Sequence, residues 1–257
     1  MRTWKNFLIK FYRKKVRIVI NFLLMEQLKT KRTIIRKLVW LMPMLVFIIT
    51  VILFSTTGYV VESAINQWSF LWLNVFIALE IGLIDHHEKS DTQYKMIISA
   101  PINLAKFELG RILHGIFILF GSSIVFIIVI LASSFLIQFR VSLLNCIVAV
   151  IGIMLTSLWE VPMYTWLSHK TNLYITVIIA FIGSFIGISI VALPWGSLFP
   201  FTWSALFPVS FTKMNINGTL ATLNSNSGSY YYTLYYSIIL MLLLSIGTSW
   251  SFKKEVS

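Results

Sequence analysis

Six apolar stretches, each long enough to cross a bilayer as a helix, dominate this chain of 257 residues. A transmembrane helix needs about 20 mainly apolar residues. Only 12% of the residues are charged, compared with roughly 25% in an average soluble domain. We therefore predict an all-α polytopic membrane protein. Its six transmembrane helices are expected at Leu38–Phe54, Trp68–Ile84, Ile112–Ile137, Val141–Leu167, Leu173–Leu193 and Thr233–Trp250.

Lys and Arg are distributed unevenly among the segments between these spans. Twelve of the 21 precede residue 38, and only Arg140 and Lys213 fall in connections on the opposite side of the membrane. Because cytoplasmic loops of membrane proteins retain Lys and Arg, both termini are predicted to be cytoplasmic. The basic residues flank apolar runs rather than forming a polar face, so we expect no nucleic-acid partner despite the net charge of +12.

The N-terminal segment, residues 1–37, has an amphipathic pattern. Apolar residues recur at near-helical spacing from Trp4 to Leu28, and basic residues fill much of the other face. This pattern predicts a helix that lies in the membrane interface and is attracted to anionic lipid. A basic tail that only sets the topology is the alternative.

The connection before the last span, Pro194–Tyr232, is the only large external element. Its part Leu198–Phe211 is too apolar for a solvated loop, so we predict an interfacial or re-entrant element. Its aromatic residues are either anchors in the interface or a surface that faces a peptide substrate. They are Trp195, Trp203, Phe207 and Phe211.

Residue patterns of known catalytic and metal sites are missing. The sequence has no phosphate-binding Gly-rich loop ending in Lys-Ser/Thr, no zinc-ligand spacing and no nucleophile elbow. We therefore predict no catalytic residue, no metal and no cofactor bound by this chain. Glu80 and Glu160 lie inside predicted spans, where an ionisable group is a candidate for function. They act either in gating or in packing between helices, and Pro162 is expected to kink or break the fourth span.

The second connection predicts a helix–turn–helix at the cytoplasmic surface. A short amphipathic stretch, Tyr94–Ser99, stops at Ala100-Pro101. Asn103 then follows as the N-cap of a helix that runs directly into the third span.

This arrangement resembles the membrane subunits of type 2 (ABC-2) ATP-binding-cassette exporters. The resemblance covers six spans, cytoplasmic termini, the N-terminal amphipathic helix and the external re-entrant region. In motif it rests on Glu80, Glu88, the run Met96-Ile97-Ile98-Ser99-Ala100-Pro101-Ile102, and Lys106 or Arg111. It implies that residues 1–257 form one ABC-2 type transmembrane domain, with a basic segment at 1–37 and a six-span bundle at 38–252.

The length, the Ala-Pro-Ile-Asn turn and the aromatic, Ile-rich spans look most like the lantibiotic self-immunity permeases. That resemblance implies a permease of a bacterial cytoplasmic membrane that removes an antimicrobial peptide. It also implies a separate ATP-binding subunit that holds ATP-Mg, a second permease subunit in a homo- or heterodimer, and a cationic peptide substrate. The ATPase would dock on Tyr94, Lys95, Met96, Ile97, Ile98 and Pro101.

Two other functions stay open. The first is a membrane sensor or accessory protein that transports nothing. The second is a secondary transporter that binds its coupling ion at Glu80 or Glu160.

Overall fold

Helices form the whole architecture of the part of the chain that the structure describes. The computed structural model describes residues 18–92, 94–191, 193, 195–220 and 231–256. Within them, five helices are long and apolar enough to cross a membrane, and a sixth span results if one bent pair of helices is counted as one. The expectation of an all-helical membrane protein is confirmed, with five or six candidate spans where six were predicted.

The long helices extend beyond the apolar runs that predict them. Helix α1 occupies residues 18–30 in its described part, and residues 4–17 of the predicted interfacial helix lie outside the described residues. The others are α2 (Ile34–Phe54), α3 (Val60–Gln67), α4 (Leu73–Thr92), α5 (Lys95–Ser99), α6 (Leu104–Ser133), α7 (Leu143–Thr156), α8 (Glu160–Lys170), α9 (Leu173–Ile190), α10 (Trp203–Leu206), α11 (Val209–Thr212) and α12 (Tyr231–Val256).

The second span begins earlier than its apolar run. A π-helical turn, Trp68–Trp72, joins α3 to α4, so the span runs continuously from Val60 to Ser90. Residues 60–67, which include Glu62, were expected to belong to the connection before this span. That carboxylate is buried because it accepts hydrogen bonds from the backbone N–H groups of Arg140 (3.0 Å) and Val141 (3.2 Å), which replace water.

The fourth span is broken, as Pro162 predicts, but the break lies just before the proline. Helices α7 and α8 are bent by 41° at residues 157–159. Pro162 is the third residue of α8, where a backbone N–H has no partner inside the helix. Restarting the helix at Glu160 therefore accommodates the proline.

The main core lies where the second, third and fourth spans meet. Helix α4 packs against α8 and α9, and α6 packs against α2 and α12. Trp68 is fully buried and stacks on Phe126 of α6 with ring centroids 4.9 Å apart. Helix α1 is held against α6 at Gly110, where an added Cβ would approach the Cβ of Phe22 to 2.5 Å.

The segment between α9 and α12 folds onto the bundle as short helical pieces. Two 3₁₀ turns, Gly196–Leu198 and Pro200–Thr202, precede α10 and α11. This segment packs against α7, and Phe207 occupies the space above Gly152. Asn66 of α3 donates hydrogen bonds to the carbonyls of Asn215 and Ile216 (3.2 and 3.1 Å), so the segment lies at the Glu62 end of the bundle.

Candidate functional site

A group of charged and polar side chains, most of them buried, lies at the end of the bundle opposite Glu62. Its members come from the end of α4, the turn before α5, the first turns of α6 and the end of α8. We call them the polar cluster: Asp85, Lys89, Tyr94, Glu108, Arg111 and His169. The cluster joins three membrane spans to one surface segment.

Asp85 is the centre of the polar cluster. Its Oδ1 atom accepts from Arg111 Nη2 (3.3 Å), from His169 Nδ1 (2.6 Å) and from the hydroxyl of Tyr94. Its Oδ2 atom lies 3.1 Å from Lys89 Nζ. The Asp85 side chain is 2% exposed, so these partners replace the hydration that the carboxylate loses on burial.

His169 connects the two carboxylates of the cluster. Its Nδ1 faces Asp85 and its Nε2 lies 2.6 Å from Glu108 Oε1. Ionised carboxylates only accept hydrogen bonds, so both ring nitrogens donate and the ring is a charged imidazolium. Arg111 also pairs with Glu108, with 3.6 Å between Arg111 Nη1 and Glu108 Oε2. The two acids are thus held by the two cations of α6 and α8.

Tyr94 attaches the surface segment to the polar cluster. Its backbone is in the left-handed region (φ 59°), which is rare for a bulky residue. Burial raises the pKa of the Tyr94 hydroxyl well above its usual range, so the hydroxyl keeps its proton and donates to Asp85. This buried contact compensates for the unfavourable backbone of the turn.

Lys89 fastens the end of α4 to the end of α8. Besides Asp85, its ammonium group donates to three backbone carbonyls, those of Ser168 (2.7 Å), His169 (3.0 Å) and Thr171 (3.2 Å). Carbonyls at the end of a helix have no partner within it. Lys89 therefore caps α8 and fixes its position next to α4.

Aromatic rings cover the polar cluster and bring the last helix into contact with it. Phe252 of α12 stacks on the His169 ring at 4.9 Å and meets the Tyr94 ring edge-on at 5.7 Å. Ile97 and Phe107 pack on the same Phe252 side chain. The surface segment, four spans and α1, through Phe22, meet in this one region.

The predicted docking residues lie in residues 94–101, which we call the docking segment. Some of their side chains are exposed and others are buried against the protein. Ile98 is 50% exposed, and Lys95 and Pro101 are also exposed. Ile97 is only 6% exposed because it packs inside the protein. In this conformation the Ile97 side chain is not available to a partner, and its role in docking stays a prediction. The side chain of Met96 lies outside the described part of the chain.

The two intramembrane acids are both buried and lie in different environments. Glu80 is 1% exposed, and neither of its carboxylate oxygens has a hydrogen-bond partner among the described residues. Glu160 opens α8 directly after the break in the fourth span. Neither acid belongs to the polar cluster.

Of the four external aromatic residues, Trp195 alone has an exposed ring, with 53% of its surface accessible. Trp203 and Phe207 are buried, and Phe211 is half-buried. Trp203 contacts Trp159, and Phe207 fills the space over Gly152. These two rings pack inside the protein here, so of the four predicted aromatics Trp195 has the ring that is most accessible to a peptide.

Sequence reasoning missed the polar cluster as a unit. Arg111 and Glu108 carried a weak signal, because charged residues at the start of a transmembrane helix are expensive unless paired. His169 carried none by itself: it lies 84 positions from Asp85, beside Lys170 in a short polar connection. No group of His, Cys, Asp and Glu in the described ranges is arranged to hold a metal ion. Arg111 occupies the space between the two carboxylates.

Searches of protein-family models, of curated proteins and of solved structures find no match to this chain.

Proposed function

We propose that the chain is the permease subunit of an ABC-2 type exporter that removes a lantibiotic-like antimicrobial peptide from a bacterial cytoplasmic membrane. A separate ATP-binding subunit drives it, and a second permease subunit completes the translocation path. The proposal rests on one observation above all: the docking segment is joined through Tyr94 to a buried cluster that holds three spans together.

In this proposal, the polar cluster transmits movement of the docking segment to the transmembrane helices. In this proposal the docking segment is the first arm of a cytoplasmic helix–turn–helix, and α6 is the second. Asn103 caps α6 by accepting a hydrogen bond from Lys106 N (3.1 Å), as the sequence predicts. A partner that displaces α5 would pull on Asp85 through Tyr94. Because the cluster is tightly paired, the ends of α4, α6 and α8 would move together.

The surface of α1 supports its role as an interfacial helix. Ile20, Leu24 and Leu28 follow each other at intervals of four and are all exposed, so they form one apolar stripe. Phe22 and Glu26 point to the protein instead. In the proposed topology this stripe enters the cytoplasmic leaflet, and the segment from Gly196 to Thr212 is the re-entrant element of the outer side.

Ile98 provides the sharpest test of the docking segment. We expect Ile98→Asp to abolish co-purification of an ATP-binding subunit encoded beside this chain, because Ile98 is an exposed apolar side chain of α5 that a partner could bury. Thermal unfolding of the purified permease should be unchanged.

Ile97→Asp is the matched control. It buries a charge among Phe107 and Phe252 and should lower the thermal stability of the permease itself. An Ile98→Asp protein that still captures the ATPase would exclude this docking surface.

A secondary transporter that uses Glu80 is the second candidate function, favoured by the two unpartnered oxygens of that buried carboxylate. Transport assays in reconstituted vesicles distinguish the exporter from the secondary transporter. Peptide extrusion that requires the ATP-binding subunit and ATP supports the exporter, whereas extrusion driven by an ion gradient alone supports the secondary transporter. Absence of both activities, with normal assembly, points to the sensor.

A further inference from the structure

A groove between α2 and α6 opens on the lipid-facing side of the bundle beside the α1–α2 connection. Its volume is about 390 Å³, within the range of ligand sites. Helix α6 lines it at intervals of three or four residues from His114 to Ile128, which corresponds to about 21 Å along the helix. One leaflet of hydrocarbon is about 15 Å thick, so the groove could hold an acyl chain lengthwise.

The two ends of the groove differ in polarity. Gln27, Thr30, Arg36 and His114 line it near the α1–α2 connection, where α1 ends, α2 begins and the third turn of α6 passes. The far end is lined by side chains such as Ile124 and Ile128, both about half-exposed. An occupant must therefore be polar at one end and apolar along its length, which describes a membrane lipid rather than a soluble metabolite.

The charge at the polar end selects the headgroup. Arg36, in the first turn of α2, lines the groove and is exposed, whereas the exposed basic side chains that are near it in sequence, Lys31, Arg32 and Lys37, do not line the groove. The Arg guanidinium matches the geometry of a phosphate oxygen pair. The one nearby acid of α1, Glu26, is already paired with Lys29 at 3.0 Å.

A buried histidine in the wall provides an independent polar feature. His114 is 3% exposed, and its Nε2 lies 3.1 Å from Thr30 Oγ1. That hydroxyl is also within 3.0 Å of the Glu26 carbonyl, so its single proton is already donated and Nε2 donates to it. In a neutral ring Nδ1 is then an acceptor, and it has no partner among the described residues.

We propose that this groove is a binding site for one anionic glycerophospholipid. The phosphate is held by Arg36, the headgroup lies beside His114 and Thr30, and one acyl chain lies along α6 past Gly121. Gly121 lines the groove, and an added Cβ there would be in van der Waals contact with Val39 at 3.4 Å, so a larger side chain at this position would take up groove space. The site is independent of the exporter proposal and requires only that the helices lie in a bilayer.

Native mass spectrometry tests the site. The full chain is purified from detergent, exchanged into an equimolar mixture of phosphatidylglycerol and phosphatidylcholine with the same acyl chains, and released from the micelle. We expect one retained phosphatidylglycerol. Arg36→Gln should reduce that retention about tenfold, the change expected from losing one charged hydrogen bond.

Two further variants complete the test. Arg32→Gln removes the same charge from an exposed position that does not line the groove, and it should retain the lipid as the wild type does. Gly121→Leu fills the groove and should also lose the lipid. Equal retention of both lipids, equal loss in Arg32→Gln and Arg36→Gln, no retained lipid, or a second copy of the chain cross-linked across the groove would each overturn the proposal.

Discussion

At the scale of single residues, the Asp85 side chain contacts four other members of the polar cluster. We expect Asp85→Asn to destabilise the protein by about 3 kcal/mol, because it leaves Arg111 and Lys89 without their main carboxylate and a broken buried ion pair is costly. Thermal unfolding of the detergent-solubilised protein measures the effect.

Tyr94→Phe is a milder change in the same polar cluster. It removes a single hydrogen bond to Asp85 and keeps the ring on Phe252, so the expected loss is about 1 kcal/mol. Equal stability of Asp85→Asn and the wild type would show that the polar cluster does not hold the helices together.

The residue scale also shows where sequence reasoning stops. The capping by Asn103 follows from local chemistry, since an N-cap side chain bonds to a backbone N–H three residues on. Ile97 and Ile98 could not be separated in this way, because a helix as short as α5 has no second turn to show which face is buried. The partner of Asp85 depends on how α8 packs against α4, which no local pattern encodes.

At the scale of elements, the contact between α7 and α10 depends on the absence of a side chain. A Cβ at Gly152 would lie 1.7 Å from Phe207 Cε1. Gly152→Ala should therefore displace the 203–212 segment and cost about 1–3 kcal/mol. Adding Phe207→Leu should restore part of the loss, because it relieves the clash.

Gly247→Ala in α12 is the matched control for the same chemical change. Nothing lies within 4 Å of an added Cβ there, and Ala is favoured over Gly within a helix by up to about 1 kcal/mol. Its unfolding temperature should be equal to that of the wild type or higher. A similar fall for Gly152→Ala and Gly247→Ala would contradict the close contact with Phe207.

Helix ends were harder to predict than helix existence. Hydropathy locates all six apolar runs, since each must cover the same hydrocarbon thickness. It fails at Val60–Gln67 because Glu62 has a polar partner inside the protein, which a hydropathy window cannot include. It also fails to divide the fourth span, where a proline and the packing of Trp159 determine where the helix restarts.

At the scale of the whole molecule, the second span carries a buried acid at each end. Glu62 and Asp85 are 23 residues apart, or about 35 Å along a helix. Glu62 holds the connection that leads into α7, and Asp85 holds the end of α8. The third and fourth spans are thus bonded to the second at both ends.

These two attachments should respond independently. We expect Glu62→Ala to accelerate hydrogen exchange of the Arg140 and Val141 amides at least about tenfold, because both lose their acceptor. Glu62→Gln keeps a carbonyl oxygen and should preserve much of the protection. Asp85→Asn should leave both amides unchanged, and faster exchange in that variant would mean that the bundle loosens as one unit.

The bend between α7 and α8 gains a mechanical meaning from these attachments. The fourth span consists of α7 and α8, and each of its two ends is bonded to the second span. We therefore expect a displacement of the end that carries His169 to change the angle between α7 and α8. Trp159 lies at this bend, and its ring centroid is 5.1 Å from that of Phe201 and 6.1 Å from that of Trp203, both in the segment before the last span. We therefore expect a displacement at one end of the bundle to move, through these two aromatic contacts, the segment at the other end.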